Sequence, residues 1–210
     1  PHDPATAYVA AWRYKLDDYR PLLFKTTDYG RTWTSITGNL PADDFTRCVR
    51  ADPVRPGMLY CGTETGIFVS FDDGGTWLPL RGANLPAVPV YDMQVKDDDL
   101  VIATHGRSFW ILDDLTPLRQ LTDAVLDQPA YLFALRPKIR TRPLPGSARP
   151  PGPGKNYTLG LGAAATFYER RRPTGEVEQV LLDAGKNPPD GVVVTYYLRE
   201  KPQGEVTLTF

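Results

Sequence analysis

The chain has 210 residues, 24 basic against 25 acidic side chains for a formal charge of −1, and many turn formers, 21 Pro and 18 Gly. Balanced charge argues against nucleic acid or an anionic membrane as the main partner, and no apolar run approaches the roughly 20 residues of a spanning helix. Abundant Pro and Gly fit short strands joined by tight turns.

The first elements run from Ala7 to about Ile36. They open on Tyr8-Val9-Ala10-Ala11-Trp12 and carry an insertion, Arg13 to Arg20, before a strand from Pro21 to Lys25. They close on Thr26-Thr27-Asp28-Tyr29-Gly30-Arg31-Thr32-Trp33, which returns forty-four positions later as Ser70-Phe71-Asp72-Asp73-Gly74-Gly75-Thr76-Trp77. Both copies read S/T-x-D-x-G-x-T-W, with Phe24 and Phe68 in the same place upstream. A repeat of this length is the size of one four-stranded propeller blade. The innermost strand of the first blade is expected upstream of Pro1, and the chain reads as a piece of a longer protein.

The middle blade predicts strands at Thr46–Ala51, Met58–Thr63, Gly66–Ser70 and Thr76–Leu80, rich in β-branched and aromatic residues. A third blade starts with Val90 to Val95 and continues with Leu100 to Thr104 and Ser108 to Leu112. At an offset of forty-one, Leu59, Thr63, Phe68, Asp72 and Asp73 become Leu100, Thr104, Phe109, Asp113 and Asp114, while Leu115-Thr116-Pro117 replaces the Gly-x-T-W part of the motif. A helix is predicted from Pro117 to about Leu126, with Thr116 as N-cap, and a strand from Ala130 to Leu135 would close the blade. Residues 1–135 therefore read as three blades, the first partial.

From Arg136 to Lys155, six prolines and six basic residues in twenty positions, with no acid, read as an extended linker (136–155). Asn156-Tyr157-Thr158 fits a glycosylation sequon. After the turn Asn187-Pro188-Pro189-Asp190-Gly191, strands at Val192–Leu198 and Glu205–Phe210 are expected to pair, so that 156–210 opens a β-sandwich module.

Each residue of the repeated corner has a folding role. Asp28 and Asp72 can accept backbone N–H groups of their own turn, Gly30 and Gly74 supply positive φ, and Trp33 and Trp77 cover the apolar face. Thr26 and Ser70 open the motif with a hydroxyl. One carboxylate per turn falls far below the roughly six to eight oxygen ligands of Ca²⁺, so neither a metal nor a cofactor is expected. Cys48 and Cys61 flank the turn Asp52 to Gly57. If Ala51 faces Met58, Cys48 faces Cys61, and the two read either as a cross-strand disulfide or as two small buried thiols.

The S/T-x-D-x-G-x-T-W elements resemble the Asp boxes (BNR repeats) of sialidases, xyloglucan-degrading propellers and the sortilin luminal domain. Val101 to Asp114 resembles the last blade of large bacterial sortilin-like BNR proteins, and Asn187 to Leu198 resembles the start of their immunoglobulin-like module. The resemblance implies an all-β fold: the C-terminal blades of an Asp-box β-propeller, a linker, and the start of an immunoglobulin-like sandwich. It also implies an extracellular or periplasmic location. In a propeller the loop between second and third strands emerges on the same rim as the link between blades, which places Thr63-Glu64-Thr65, His105-Gly106-Arg107, Gly38 to Asp44 and Arg81 to Pro89 together. Glu64, His105 and Arg107 are the candidate binding residues there. Against them stands a local role in which His105 bonds backbone and Arg107 pairs with Asp113 or Asp114. No zinc signature, phosphate loop or nucleophile elbow is present. Glu64, Asp43 and Asp44 do not form the isolated acid pair that glycosidases generally need. The function expected is non-catalytic binding of protein or glycan, the alternative a glycoside hydrolase whose cleft lies mostly in other blades.

Overall fold

Three small antiparallel sheets follow one another along the chain, and in the middle one the strands Leu59–Thr63 and Ile67–Ser70 are buried at every residue. A computed structural model describes residues 2–80, 85–138, 152–160, 163–182, 185 and 191–209. It divides into two units, Pro1–Arg136 with Val194–Phe210, and Pro137–Val193. The first blade contains β1 (Ala7–Arg13), β2 (Asp18–Thr26) and β3 (Thr34–Ser35), with a 3-10 turn at Tyr14–Leu16 inside the insertion. The second contains β4 (Thr46–Ala51), β5 (Leu59–Thr63), β6 (Ile67–Ser70) and β7 (Leu78–Pro79), hydrogen-bonded in that order. The third contains β8 (Val90–Lys96), β9 (Asp99–Thr104) and β10 (Phe109–Leu112).

Registers make the repeat three-dimensional. Ala7 pairs with Thr26 as Leu59 pairs with Ser70, so β1 and β2 of the first blade correspond to β5 and β6 of the second. The two repeat corners then carry the same bonds. Thr26 Oγ1 donates to Asp28 (2.8 Å) and accepts from Gly30 N (3.0 Å), as Ser70 Oγ donates to Asp72 (2.7 Å) and accepts from Gly74 N (2.8 Å). Asp28 accepts from Thr32 N at 2.9 Å and Asp72 from Thr76 N at 2.8 Å. Positive φ falls at Tyr29 and Gly30, and again at Asp73 and Gly74.

The two tryptophans differ in what covers them. Trp77 is buried: its indole donates to Ile36 O at 2.9 Å, and Asn39 of the preceding link bonds both its backbone N (2.7 Å) and O (3.1 Å). Trp33 stays 45% exposed and donates to its own turn at Gly30 O. Two apolar clusters fill the spaces between blades. One gathers Leu23, Leu40, Val49, Leu59, Cys61, Phe68 and Trp77, the other Tyr60, Ile67, Met93, Leu100 and Ile102 among others.

Several expectations change at the level of register. The hairpin closes with Ala51 opposite Leu59, so Cys48 faces Gly62 and Val49 faces Cys61. The cysteines point to opposite faces of one sheet, into different clusters, and both are free thiols. In the third blade the loop after Thr104 is one residue longer than that after Thr63. Phe109 therefore corresponds to Ile67, and Trp110, not Phe109, takes the place of Phe68. By Asp114, whose φ of 61° matches 63° at Asp73, the expected alignment has returned.

The single helix expected from Pro117 is two short ones, α1 (Thr116–Gln120) and α2 (Asp123–Leu126). Leu115 is the first N-cap, not Thr116. The break has two causes: Thr122, extended, caps α2 by accepting from Val125 N, and Arg55 donates to the carbonyls of Leu118, Arg119 and Leu121. The strand expected to close the third blade is β11 (Ala130–Leu132), and it pairs instead with β15 (Tyr196–Leu198). The start expected for a sandwich thus contributes its strand to the blade unit, and residues 205–209 form no strand. The other unit holds one three-stranded sheet of β12 (Asn156–Gly160), β13 (Ala163–Arg171) and β14 (Val177–Leu181). Most of the expected linker, part of the Arg81 to Pro89 link and the Asn187 to Asp190 turn lie outside the described residues.

Candidate functional site

The rim expected from loop geometry is assembled by repeated backbone bonds. Glu64 N donates to Phe45 O at 3.1 Å in the second blade, and His105 N to Pro89 O at 2.9 Å in the third. Each ties a loop between second and third strands to the link entering its own blade. Trp12 is the residue of the first blade that corresponds to Glu64 and His105, since Ala11 matches Thr63 in register.

A second set of rim residues comes from bulges. Thr46 faces Thr63 and Cys48 faces Gly62, so Arg47 is an extra residue in β4. Val90 faces Thr104 and Asp92 faces Ala103, so Tyr91 is the extra residue in β8. A bulge re-aims one side chain without shifting the rest of the strand. Both side chains turn to the rim, and each meets the loop residue of its own blade: Arg47 Nε donates to Glu64 at 2.6 Å, and Tyr91 Oη bonds His105 Nδ1 at 2.9 Å.

Ring contacts join these pairs into one row across three blades. Trp12 lies 5.1 Å from Tyr14, and Tyr14 stacks on Phe45 at 4.9 Å. The Arg47 guanidinium sits 4.9 Å from the Phe45 ring and 4.1 Å from that of Tyr91, which meets the His105 ring at 4.9 Å. Such cation–π stacking holds the Arg47 fork between two rings. Trp12, Tyr19 and Tyr91 remain 43 to 49% exposed, an unusual investment of large rings on a surface.

Of the three rim carboxylates, Asp43 is exposed and the other two are engaged. Asp44 is buried and accepts from Thr63 Oγ1 (2.8 Å), Thr65 Oγ1 (2.6 Å) and Thr65 N (3.1 Å), fastening the blade link to the loop. Glu64 neutralises Arg47. Among the described residues, no group of three or more His, Cys, Asp or Glu side chains converges as a metal site. The arrangement can stack a ring-shaped ligand and bond its edges.

Of the sequence candidates, Glu64 and His105 come together through Arg47 and Tyr91. His105 bonds a side chain rather than backbone through its ring. Arg107 is exposed, and its carbonyl accepts the Trp110 indole at 2.9 Å. Sequence reasoning missed Trp12, Tyr14, Phe45, Arg47 and Tyr91. A signal existed: Arg47 and Tyr91 stand at the second position of consecutive first strands, but only the bulges turn them to the rim.

No family model matches the sequence. Over 103 residues the chain is 31% identical to Xyloglucanase Xgh74A of Acetivibrio thermocellus, a match covering 44% of this chain and 12% of the relative. The match thus spans about one eighth of that protein's length. Among solved structures, an ancestral GH74 enzyme matches with a TM-score of 0.42 at 19% identity, over 51% of this chain and 13% of that one. YCF48 bound to a D1 peptide matches with a TM-score of 0.34 at 18% identity, over 43% and 30%. The shared sequence supports a propeller from a glycoside hydrolase-like protein. No helix among the described residues is long and apolar enough to cross a membrane.

Proposed function

We propose that these blades form part of a non-catalytic binding rim that takes a neutral glycan outside the cytoplasm. The observation that carries the reading is the continuous row from Trp12 through Arg47 to Tyr91 and His105. Pyranose rings offer apolar C–H faces to exposed aromatics, and their hydroxyls suit the edges of Glu64, His105 and Arg107. A relative that is a xyloglucanase makes a plant-type β-glucan the natural first ligand. We retain the reading of a sandwich module only for the sheet of β12–β14, since Val194–Phe210 belongs to the blade unit.

Calorimetric titration of the intact protein with xyloglucan oligosaccharides tests this. Trp12→Ala and Tyr91→Ala should each weaken binding about tenfold or more, and Glu64→Ala and Arg107→Ala less. Unchanged affinity in both aromatic variants would remove the rim from consideration. The shared sequence with a xyloglucanase favours one other reading, a hydrolase with its acid pair in other blades. Release of reducing ends by the intact protein would establish it, and none is expected from the rim described here.

A further inference from the structure

A cation stands in the middle of the aromatic row. The Arg47 guanidinium lies 4.9 Å from the Phe45 ring and 4.1 Å from that of Tyr91, and its side chain is only 13% exposed. With its faces against rings, a planar guanidinium donates through its edges. Two of its nitrogens give to a single acceptor: Nε at 2.6 Å and Nη2 at 2.5 Å both reach Glu64 Oε2. The paired edge that would grip a ligand carboxylate is therefore held by a carboxylate of the chain itself.

Other cations near the row are placed differently. Arg13 and Arg20 share Asp18, at 3.5 and 2.8 Å, and Lys15 lies 5.8 Å from the Trp12 ring. These three and Arg107 are exposed, and an ion pair in open water adds little and fades with salt. Arg47 is a cation that rings have taken out of water, so an anion reaching it would be held more firmly. Its partner Glu64, 36% exposed, stands in the loop between β5 and β6, at the rim itself. While Glu64 is charged, a ligand carboxylate brought to Arg47 meets a like charge instead of an open fork.

We propose that Glu64 sets the specificity of the rim: by occupying Arg47 it turns away glycans that carry carboxylates and leaves the row to neutral ones. The role rests on the reading of the row as a glycan site. Specificity is a difference of affinities, and a like charge beside Arg47 lowers the affinity for the acidic competitor without any contact to the neutral ligand. Glu64 also fixes the plane of the guanidinium between Phe45 and Tyr91, so its charge and its hydrogen bonds have separable effects. Glu64→Gln keeps an acceptor for Arg47 and removes only the charge.

The test is calorimetric titration of the intact protein with xyloglucan oligosaccharides and with the same oligosaccharides after oxidation of their free primary alcohols to carboxylates. The readout is the ratio of the two affinities, which cancels any loss common to both. The unaltered protein should bind the oxidised form about tenfold more weakly or worse. Glu64→Gln should move the ratio about tenfold or more toward the oxidised form, and adding Arg47→Gln should undo that shift. Asp43→Asn removes the same charge from an exposed rim position and should move the ratio less than about threefold. An equal shift in Asp43→Asn, or a shift that survives in the double variant, would make the effect one of general charge and overturn the proposal. An unchanged ratio in Glu64→Gln, with the neutral ligand still bound, would overturn it and leave the glycan reading standing. No binding of the neutral ligand by the unaltered protein would overturn both.

Discussion

Trp33 and Trp77 end the same S/T-x-D-x-G-x-T-W motif and have the same corner beneath them, yet only Trp77 is roofed by Ile36 and the Asn39 clamp. A fully buried tryptophan contributes by both transfer and packing, whereas a half-exposed one contributes mainly by the area it covers. Trp77→Ala should cost about 3–5 kcal/mol and Trp33→Ala about 1 kcal/mol or less, read from urea unfolding. The corner carboxylates set a pH dependence. Hydrogen bonds from Thr32 hold the Asp28 carboxyl down to about 2. At Asp72 burial pushes the other way, but bonds from Thr76 and Ser70 outweigh it and keep that carboxyl low too. Folded values below the unfolded value of about 3.9 mean that the unfolded chain takes up protons first as pH falls. The stabilisation is whole above about pH 5 and is lost as the pH drops toward 2. The urea midpoint should be flat from pH 7 to 5 and then decline, and Asp28→Asn should make the decline shallower.

Elements were legible where the residues state their own geometry and illegible where one residue of slip decides the outcome. The two corners could be read because Thr/Ser, Asp, Gly and Trp sit at fixed offsets and each has one turn to make. The pairing of Cys48 with Cys61 failed because Asp52 N bonds Met58 O and the ladder proper begins at Leu59, which flips the facing residues. Cys48 and Cys61 should accordingly resist a thiol reagent in the native protein and react as two free thiols in denaturant. Burial, which pushes the Cys48 thiol up to about 11 and that of Cys61 higher than usual, slows them further. The broken helix was hidden because its cause is distant. Arg55, more than sixty positions upstream, takes the carbonyls ending α1, while Arg119 in α1 reaches back to Asp52 (3.0 Å) and Asp98 (2.6 Å). Burial would raise the Asp52 carboxyl, but the backbone N–H groups of Arg55 and Val54, with Arg119 and Tyr60, hold it low. Removing that carboxylate leaves Arg119 buried with half its partners. Asp52→Ala should therefore destabilise by about 3 kcal/mol in urea unfolding. The rim was half legible: loop positions gave Glu64 and His105, and only the bulges bring Arg47 and Tyr91 to join them.

At the scale of the whole blade unit, both flanks of the row present apolar surface among the described residues. Val9, Phe24 and Trp33 form an apolar patch on the first blade, and Phe109 and Ile111 lie exposed on β10, the edge strand of the third among the described residues. These surfaces are different, so contacts between them are heterologous: one molecule can offer its first flank to the last flank of the next, and the contact need not close. The burial of Trp77 shows how much apolar area a neighbouring blade covers at such a junction. The isolated 210-residue chain should therefore self-associate, its apparent mass in light scattering rising with concentration. Trp33→Glu should lower that rise by placing a charge in the patch, with the circular dichroism spectrum preserved because the side chain is already half in water. Ile111→Lys should lower it from the other flank, and the double variant should do no better than the stronger single one, because a heterologous contact is lost when either face is spoiled. A chain that stays monomeric and melts in one sharp transition would mean that the two flanks do not need a neighbour.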